Sequence, residues 1–426
     1  MTDAGNGPTP PDDFADSVCR RCVSDDALEA LLDEAAEAGR VCSFCAGDQA
    51  ADFDTFLEAF LRGLHHEFND VDDEGVSYES REGGYQWSEI TDTWDLISDE
   101  FGDVLTGDGL VEAVQRHVED RLWARRNFIE PRRDEALMAS WQDFRYAIRH
   151  KTRYVFWQRP RSRDDDLRGA GEIPPEQILQ EVGELISKLG LVRRVGTSEF
   201  LWRARIHDRA ERVGSAASLG TIPLSLCKQS NRMSPAGIPM FYGALSAETA
   251  LKEALVRPGH TAVASVGAFT CSREIDVVDF TDLPAVPTIF HPELGSLRRP
   301  IQFLHAFVYE LAQDVRPTYE EIDYVPTQVI TEYLLHAWDA GRPISGLKYP
   351  SARTGTPCVV LNIPSEHCLE LGSAVTDKEA LHLLLHPGTV SRQPLPASRR
   401  PLRERYLHSP RRWVRQSRTD GRDDRH

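Results

Sequence analysis

Between residues 50 and 157 the apolar positions recur at helical spacing: Phe53, Leu57, Phe60, Leu64 and Phe68 form one stripe, and Trp141, Phe144 and Ile148 belong to a second that leads to Trp157. This stretch is predicted helical. The acidic segment Asp70 to Gly84 ends in a glycine pair and separates the first long helix from the next as a loop. From Arg159 to Pro175, proline, glycine and a mixed charge run (Arg161, Arg163, Asp164, Asp165, Asp166) read as a connection between domains. Beyond it, Ile178, Val182, Leu185 and Leu189 share one helical face, and then the period shortens. Phe200 to Ile206, Ala262 to Phe269, Ile275 to Phe280 and Cys358 to Ile363 are β-prone runs, whereas Pro300 to Val315 and Pro326 to Ala340 read as helices, Pro326 suiting a first turn. The second half is mixed α and β, and no internal repeat is present.

A chain of 426 residues is long for one core, so at least one internal boundary is expected. The formal charge is -18, from 67 acidic against 49 basic residues, which disfavours a whole-molecule attraction to nucleic acid. That figure hides an asymmetry. Residues 389–426 hold eleven arginines against four acids and carry +7, so the remainder carries -25. A solvated tail is the first reading of that stretch, and a partner or nucleic-acid arm the second. No apolar run approaches the roughly 20 residues that span a bilayer, and the Asp/Gly/Pro-rich start lacks the basic-then-apolar order of a signal segment. A cytoplasmic protein without a membrane partner is expected. The expected organisation is a disordered lead over 1–17, a four-cysteine segment over 18–48, a helical domain over 49–158, a linker over 159–175, an α/β domain over 176–388 and a basic disordered tail over 389–426.

Eight cysteines are too few for a secreted disulfide scaffold, but four are grouped. Cys19 and Cys22 form one C-x2-C pair and Cys42 and Cys45 another, after nineteen intervening residues of which Asp25 to Ala38 are helical in character. Two such knuckles present four thiolates to one tetrahedral ion, and a closed four-sulfur site points to structural zinc; free thiols or two redox disulfides are the alternatives. Cys227, Cys271, Cys358 and Cys368 lack such spacing and read as buried small residues.

Arg145 and His150 make an R-x4-H element on a predicted helix, a pairing that suits phosphate clamping and base catalysis in RNA cleavage. Five residues on a helix turn through about 500°, so the two side chains diverge, and a basic helical face through Arg149, Lys151 and Arg153 is the favoured account of them.

In the α/β half, Arg203 and Arg205 fall on the same face of a strand. Arg232 precedes a Pro-Ala-Gly turn, Tyr242 ends a short apolar strand, and Glu253 lies on the following helix among Ala250, Leu251, Ala254 and Leu255. Periodicity alone puts Glu253 toward solvent. The ordered set is more telling than its members: R-x6-P-x2-Y, a Glu eleven residues after the Tyr, a helix beginning PTQ at Pro326, and GLKYPSARTG with Ser351. Over about Phe200 to Leu371 this resembles the RES domain, named for its Arg, Glu and Ser. The region before it, with its cysteine knuckles, the SREGGYQW stretch and the W-x2-F helix, resembles the HEPN-like domain that precedes RES domains in some bacterial and archaeal proteins.

The resemblance implies a multidomain fold with an N-terminal zinc-knuckle pair and helical HEPN-like domain, then a mixed α/β RES domain similar to ADP-ribosyltransferase-type NAD-binding folds. It implies a toxin of a toxin–antitoxin pair that destroys NAD by hydrolysis or phosphorolysis of the nicotinamide–ribose bond, with ADP-ribosylation of a protein as a related activity and an antitoxin as partner. An RNA-cleaving or RNA-binding HEPN protein with a regulatory RES domain is the alternative. By position, Glu253, Arg232 and Ser351 match the catalytic set, and Arg203 and Tyr242 the substrate contacts, with Arg205 adjacent. Two guanidinium forks suit a pyrophosphate, and a carboxylate suits the oxocarbenium-like charge that grows as the bond breaks. One departure stands out. The family often has Gly-Arg-Trp-Asn where this chain has Asn231-Arg232-Met233-Ser234.

Overall fold

The computed structural model describes residues 16–81, 83–86, 89–156, 169–255, 262–313, 319–374, 377 and 379–395. Nearly all of the expected lead, most of the linker, Trp157 and most of the basic tail lie outside these residues. Among the described residues no helix is long and apolar enough to cross a membrane.

Four helices build the N-terminal core: α1 (Asp26–Glu34), α2 (Phe53–Glu67), α3 (Thr93–Phe101) and α4 (Leu110–His117). Asp25, Asp52 and Asp92 each start a helix by accepting from first-turn amides, as side-chain caps do. The buried stripe of α2 is Phe53, Phe56, Phe60 and Leu64, with Leu57 at its flank; Phe68 has already left the helix for a short strand, Phe68–Asp70. The cysteine segment is not a separate unit. Strand Ser17–Val18 pairs with Gln49–Asp52, which also pairs with Glu37–Ala38, so the sheet crosses the expected boundary at 48/49.

Helix α5 (Arg133–His150) packs across the expected division between halves. Its Leu137, Trp141, Phe144 and Ile148 are buried in the core of the α/β half, beside α6 (Ile178–Lys188) and α9 (Arg298–Ala312). Trp141 meets Phe307 edge-on at 4.8 Å, and its Nε1 donates to Glu310 Oε2 at 2.8 Å. The end of the expected linker joins the same core: Ile173 is buried and the carbonyl of Pro174 accepts from Ser140 Oγ at 3.1 Å. The exchange is reciprocal. Phe290, from the α/β half, enters the N-terminal core against Phe60 and Phe101, with centroids 5.2 and 5.8 Å away. Gly63 on α2 makes room for it, since a Cβ there would lie 2.3 Å from the Phe290 ring. The apolar periodicity was legible, but period does not say which neighbour covers a helix.

The α/β half is organised on one ten-stranded sheet: β1 (Val192–Val195), β2 (Leu201–Asp208), β3 (Phe241–Ala244), β4 (Ala262–Cys271), β5 (Ile275–Asp279), β6 (Ile344–Pro350), β7 (Pro357–Leu361), β8 (Cys368–Glu370), β9 (Leu383–Leu385) and β10 (Ser391–Pro394). The order is β8-β9-β4-β2-β3-β7-β6-β5-β1, with β10 added to β4. Only β5/β6 and β8/β9 are parallel. The tail therefore begins after the expected residue 389, because Ser391–Pro394 is paired to Val263–Val266. Besides α5, α6 and α9, one face carries α8 (Ala247–Ala254) and α10 (Val325–Glu332), whose Pro326 occupies the first turn as expected; the other face carries the short α7 (Ala216–Leu219). After Glu332 the expected helix to Ala340 widens into a π turn, Tyr333–Ala337, and stops.

Because α5 completes the α/β core, a fragment starting at residue 176 should not fold cooperatively, whereas one starting near 130 should retain a sharper thermal transition. Trp141→Ala in the full chain is expected to cost about 3–5 kcal/mol, read by chemical denaturation.

Candidate functional site

The site grows from a defect in the sheet. β2 and β3 share a single registered pair, Trp202 opposite Ala244, and then part. The carbonyl of Tyr242 is thereby left without a ladder partner from β2. Arg203 supplies one, its Nη1 donating to Tyr242 O at 2.6 Å while its guanidinium carbon sits 5.2 Å from the Phe241 ring centroid. Arg205, two residues on and on the same face, donates to Ser218 O at 2.8 Å at the end of α7. Neither guanidinium has a carboxylate partner among the described residues. Burial pulls the Arg203 pKa down to about 10, with the neighbouring Arg205 charge adding to it, and Arg203 Nε is buried without a hydrogen-bond partner. Two adjacent cations held only by carbonyls form an anion-receptive wall.

On the other face of the sheet, α8 presents Glu253, half-buried rather than turned to solvent as periodicity alone suggested. Ser351, 4% exposed in the loop after β6, donates its hydroxyl proton to Glu253 Oε1. The same Ser351 oxygen accepts from the backbone amides of Arg353 and Thr354, each at 3.1 Å. A serine hydroxyl has one proton and two lone pairs, so all three capacities are spent. Ser351 is thus placed to aim Glu253, and its hydroxyl has no donor left for a ligand. A hydroxyl cluster fixes this loop to α8: Thr249 Oγ1 lies 2.5 Å from Thr356 Oγ1, which lies 2.7 Å from Thr354 Oγ1.

Arg232 is placed differently from expectation. Its Nη1 donates to the carbonyls of Leu311 and Gln313, at 2.8 and 2.7 Å, at the C-terminal end of α9. There it borders a cavity of about 580 Å3 whose far wall is α5, through Arg145 and Arg149. The Arg232 carbonyl accepts from Thr327 Oγ1, and Gln328 Nε2 donates to Asn231 O at 2.8 Å, so the PTQ turn clamps the loop before β3. The Tyr242 hydroxyl lies 2.9 Å from Ser234 Oγ and accepts from Met233 N at 3.3 Å, and burial pushes its pKa up to about 12. Met233 and Ser234 are themselves buried, with Thr331 Oγ1 3.3 Å from Met233 Sδ. The positions that depart from Gly-Arg-Trp-Asn therefore serve this loop's packing. Thr327, Gln328 and the threonine cluster are residues that sequence reasoning missed, although PTQ and SARTG were visible as stretches.

The four cysteines converge, with all four sulfurs within 4.8 Å of one another. The Cys19–Cys45, Cys22–Cys42 and Cys19–Cys22 separations are 3.3, 3.6 and 3.9 Å, around the ~3.8 Å edge of a tetrahedron with 2.3 Å metal–sulfur bonds. Arg21 Nη2 lies 3.7 Å from Cys45 Sγ, a cation beside a cluster that four thiolates would leave negative. Gly47 allows that approach, since a Cβ would lie 2.2 Å from Arg21 Nη2. Arg145 and His150, by contrast, are not brought together. Arg145 pairs with Glu310 at 2.5 Å, and His150 is exposed, its ring 5.2 Å from that of Tyr146.

Residues 35–162 match the HEPN/RES N-terminal domain 1 family, and residues 200–383 match the RES domain family. This is a RES-domain protein. The second match takes in Arg203, Arg232, Tyr242, Glu253 and Ser351, and the first includes only the second cysteine knuckle. No curated protein and no solved structure matches the chain. The pair of domains marks a toxin-like, NAD-related effector family, and the RES domain an enzyme acting on NAD.

If Ser351 serves Glu253 and its own loop, Ser351→Ala leaves two amides unpaired and is expected to destabilise the chain by about 0.5–2 kcal/mol, as loss of a cap does, measured by thermal or urea unfolding.

Proposed function

We propose that the RES domain cleaves the nicotinamide–ribose bond of NAD by hydrolysis or phosphorolysis, as a toxin or defence effector. The observation that carries this reading is the Glu253 carboxylate, aimed by Ser351 on one side of a parted sheet whose other side holds the unneutralised pair Arg203 and Arg205. NAD offers a pyrophosphate for the arginines and, at one end, a bond whose rupture needs a carboxylate. As the C–N bond breaks, its electron pair leaves on the nicotinamide nitrogen and positive charge develops on the ribose. Glu253 stabilises that charge through the oxygen that Ser351 does not hold, and accepts the proton of an incoming water; with phosphate as acceptor no such proton need be taken. Tyr242 and Arg232 contribute by holding the loop and strand that frame the site. The acidic body repels NAD at long range, so affinity rests on this local pair of cations.

The four thiols fit a structural zinc. Such an ion would tie the first knuckle to the family-matched second one and so anchor the N-terminal sheet against α1 and α2, without a place in the reaction. Metal analysis of the purified chain should find close to one zinc per chain, and Cys19→Ser should lower both zinc content and melting temperature.

The enzymatic test is incubation of the purified protein with NAD, with and without phosphate, followed by mass spectrometry. Nicotinamide release is expected, accompanied by ADP-ribose or by its phosphorylated counterpart according to the acceptor. Glu253→Gln should reduce the rate by about 100-fold or more. Intact NAD together with RNA cleavage that depends on His150 would overturn the proposal in favour of the HEPN alternative.

A further inference from the structure

Where the N-terminal core meets the α/β half, the surface is basic although the chain as a whole carries -18. A cavity of about 320 Å3, within the size range of small-ligand sites, opens between the end of α2, the loop after the strand Leu122–Arg125, and the starts of α5 and α9. Five arginines line it against two glutamates. Two of the five are neutralised, Arg299 by Glu67 and Arg133 by Glu181 at 2.5 Å. Arg125 Nη2 donates to the carbonyls of Phe128 and Glu130, both at 2.9 Å, and Arg126 Nη1 donates to His65 O at 3.1 Å. Neither of these, nor Arg132, has an ion pair among the described residues. The second acid, Glu130, is turned against Gly171, where a Cβ would lie 2.7 Å from its Oε2.

The same charges work against the helices that carry them. Arg132 is the N-cap of α5 and Arg133 its first residue, while α9 opens with Arg298 and Arg299 and has no acid in its first turn. Cations at the positive end of a helix dipole are unfavourable, and Asp134 and Glu135 offset this in part at α5 alone. The turn that follows Arg125 and Arg126 is strained as well, since Asn127 holds a left-handed φ of 49° while its amide donates to Glu74 Oε2 at 2.7 Å. An anion in the cavity offsets the repulsion and answers both helix dipoles. Among the described lining residues His66 supplies the one ring, and its Nδ1 is engaged with Ile289 O at 2.8 Å, so no Tyr, Trp or Phe face is offered to a base. What the wall offers is charge and guanidinium N–H groups.

We propose that this cavity binds a compact, multiply charged phosphate anion, a di- or triphosphate group, through Arg125, Arg126 and Arg132, bridging the two halves at the start of α9. The proposal is independent of the NAD-cleaving reading, because the cavity shares no residue with Arg203, Arg205 or Glu253.

Calorimetric titration of the full chain with sodium tripolyphosphate, ATP and AMP at low ionic strength tests it. Tripolyphosphate and ATP should bind alike, which separates a free anion from a nucleotide by their shared phosphates, and AMP should bind about 10-fold or more weakly. The double variant Arg126→Gln/Arg132→Gln should weaken tripolyphosphate binding about 10-fold or more, the size of a charge-assisted contact, whereas Arg203→Gln leaves it unchanged. Without ligand, Arg132→Gln should melt at or above the parent temperature, as relief of the dipole requires; a lower melting temperature with unaltered binding would make Arg132 structural and overturn its role. No tripolyphosphate binding, binding unaltered in the double variant, or binding lost in Arg203→Gln instead would overturn the site. Binding of ATP or of an RNA oligonucleotide without tripolyphosphate binding would also overturn it, in favour of base or nucleic-acid recognition.

Discussion

Helix α9 is gripped at three points, and the arrangement of both halves depends on that grip. At its start, Arg299 makes a bidentate pair with Glu67 at the end of α2, at 2.9 and 3.0 Å. Three turns on, Glu310 accepts from Trp141 and Arg145 of α5. At its end, the carbonyls that have no partner within a helix are taken by Arg232. Half-buried ion pairs contribute little net stability when solvated, but removing one partner here would leave the other charge in a largely apolar setting. The grip fixes orientation as much as it adds energy. It lets one helix register the N-terminal core, the inserted α5 and the loop that precedes β3.

The site's chemistry follows from satisfaction and its absence. Where hydrogen-bond capacity is exhausted, as at Ser351, a residue can only position another. Where it is incomplete, as at Arg203 Nε, a buried donor is left without a hydrogen-bond partner among the described residues. The parting of β2 and β3 makes this possible, because a continued ladder would have consumed the Tyr242 carbonyl and closed the space that Arg203 now bridges. Placing Arg203 and Arg205 without a carboxylate partner among the described residues opposes folding, since two like charges share a poorly solvated wall. An anionic ligand would relieve that opposition, which is why the proposed function gives these two arginines the pyrophosphate.

Much of this was legible in the chain. The knuckle spacing of Cys19, Cys22, Cys42 and Cys45 converges in space, because two short loops joined by a helix are a local problem. The strand bearing Arg203 lay within two residues of its expected limits, whereas Tyr242 stands second in Phe241–Ala244 rather than at its end and the strand Ile344–Pro350 before Ser351 was not foreseen; Glu253 and Ser351 met although 98 residues separate them. What was not legible is tertiary. No pattern in Leu137, Trp141, Phe144 and Ile148 says that their stripe is covered by α6 and α9 rather than by α2, and no spacing says that Phe290 fills a notch at Gly63. Arg232 shows the same limit: its position in the motif was readable, but the direction of its guanidinium depended on where α9 ended.

We propose that the carboxylate of Glu253 drives cleavage of the nicotinamide–ribose bond. Its most direct test is the rate of nicotinamide release from NAD by the full chain and by Glu253→Gln at matched folded concentration. Release by the parent chain is expected, with a loss of about two orders of magnitude or more in the variant and a melting temperature little changed. Equal rates in the two proteins, or no release by a folded parent chain, would contradict it.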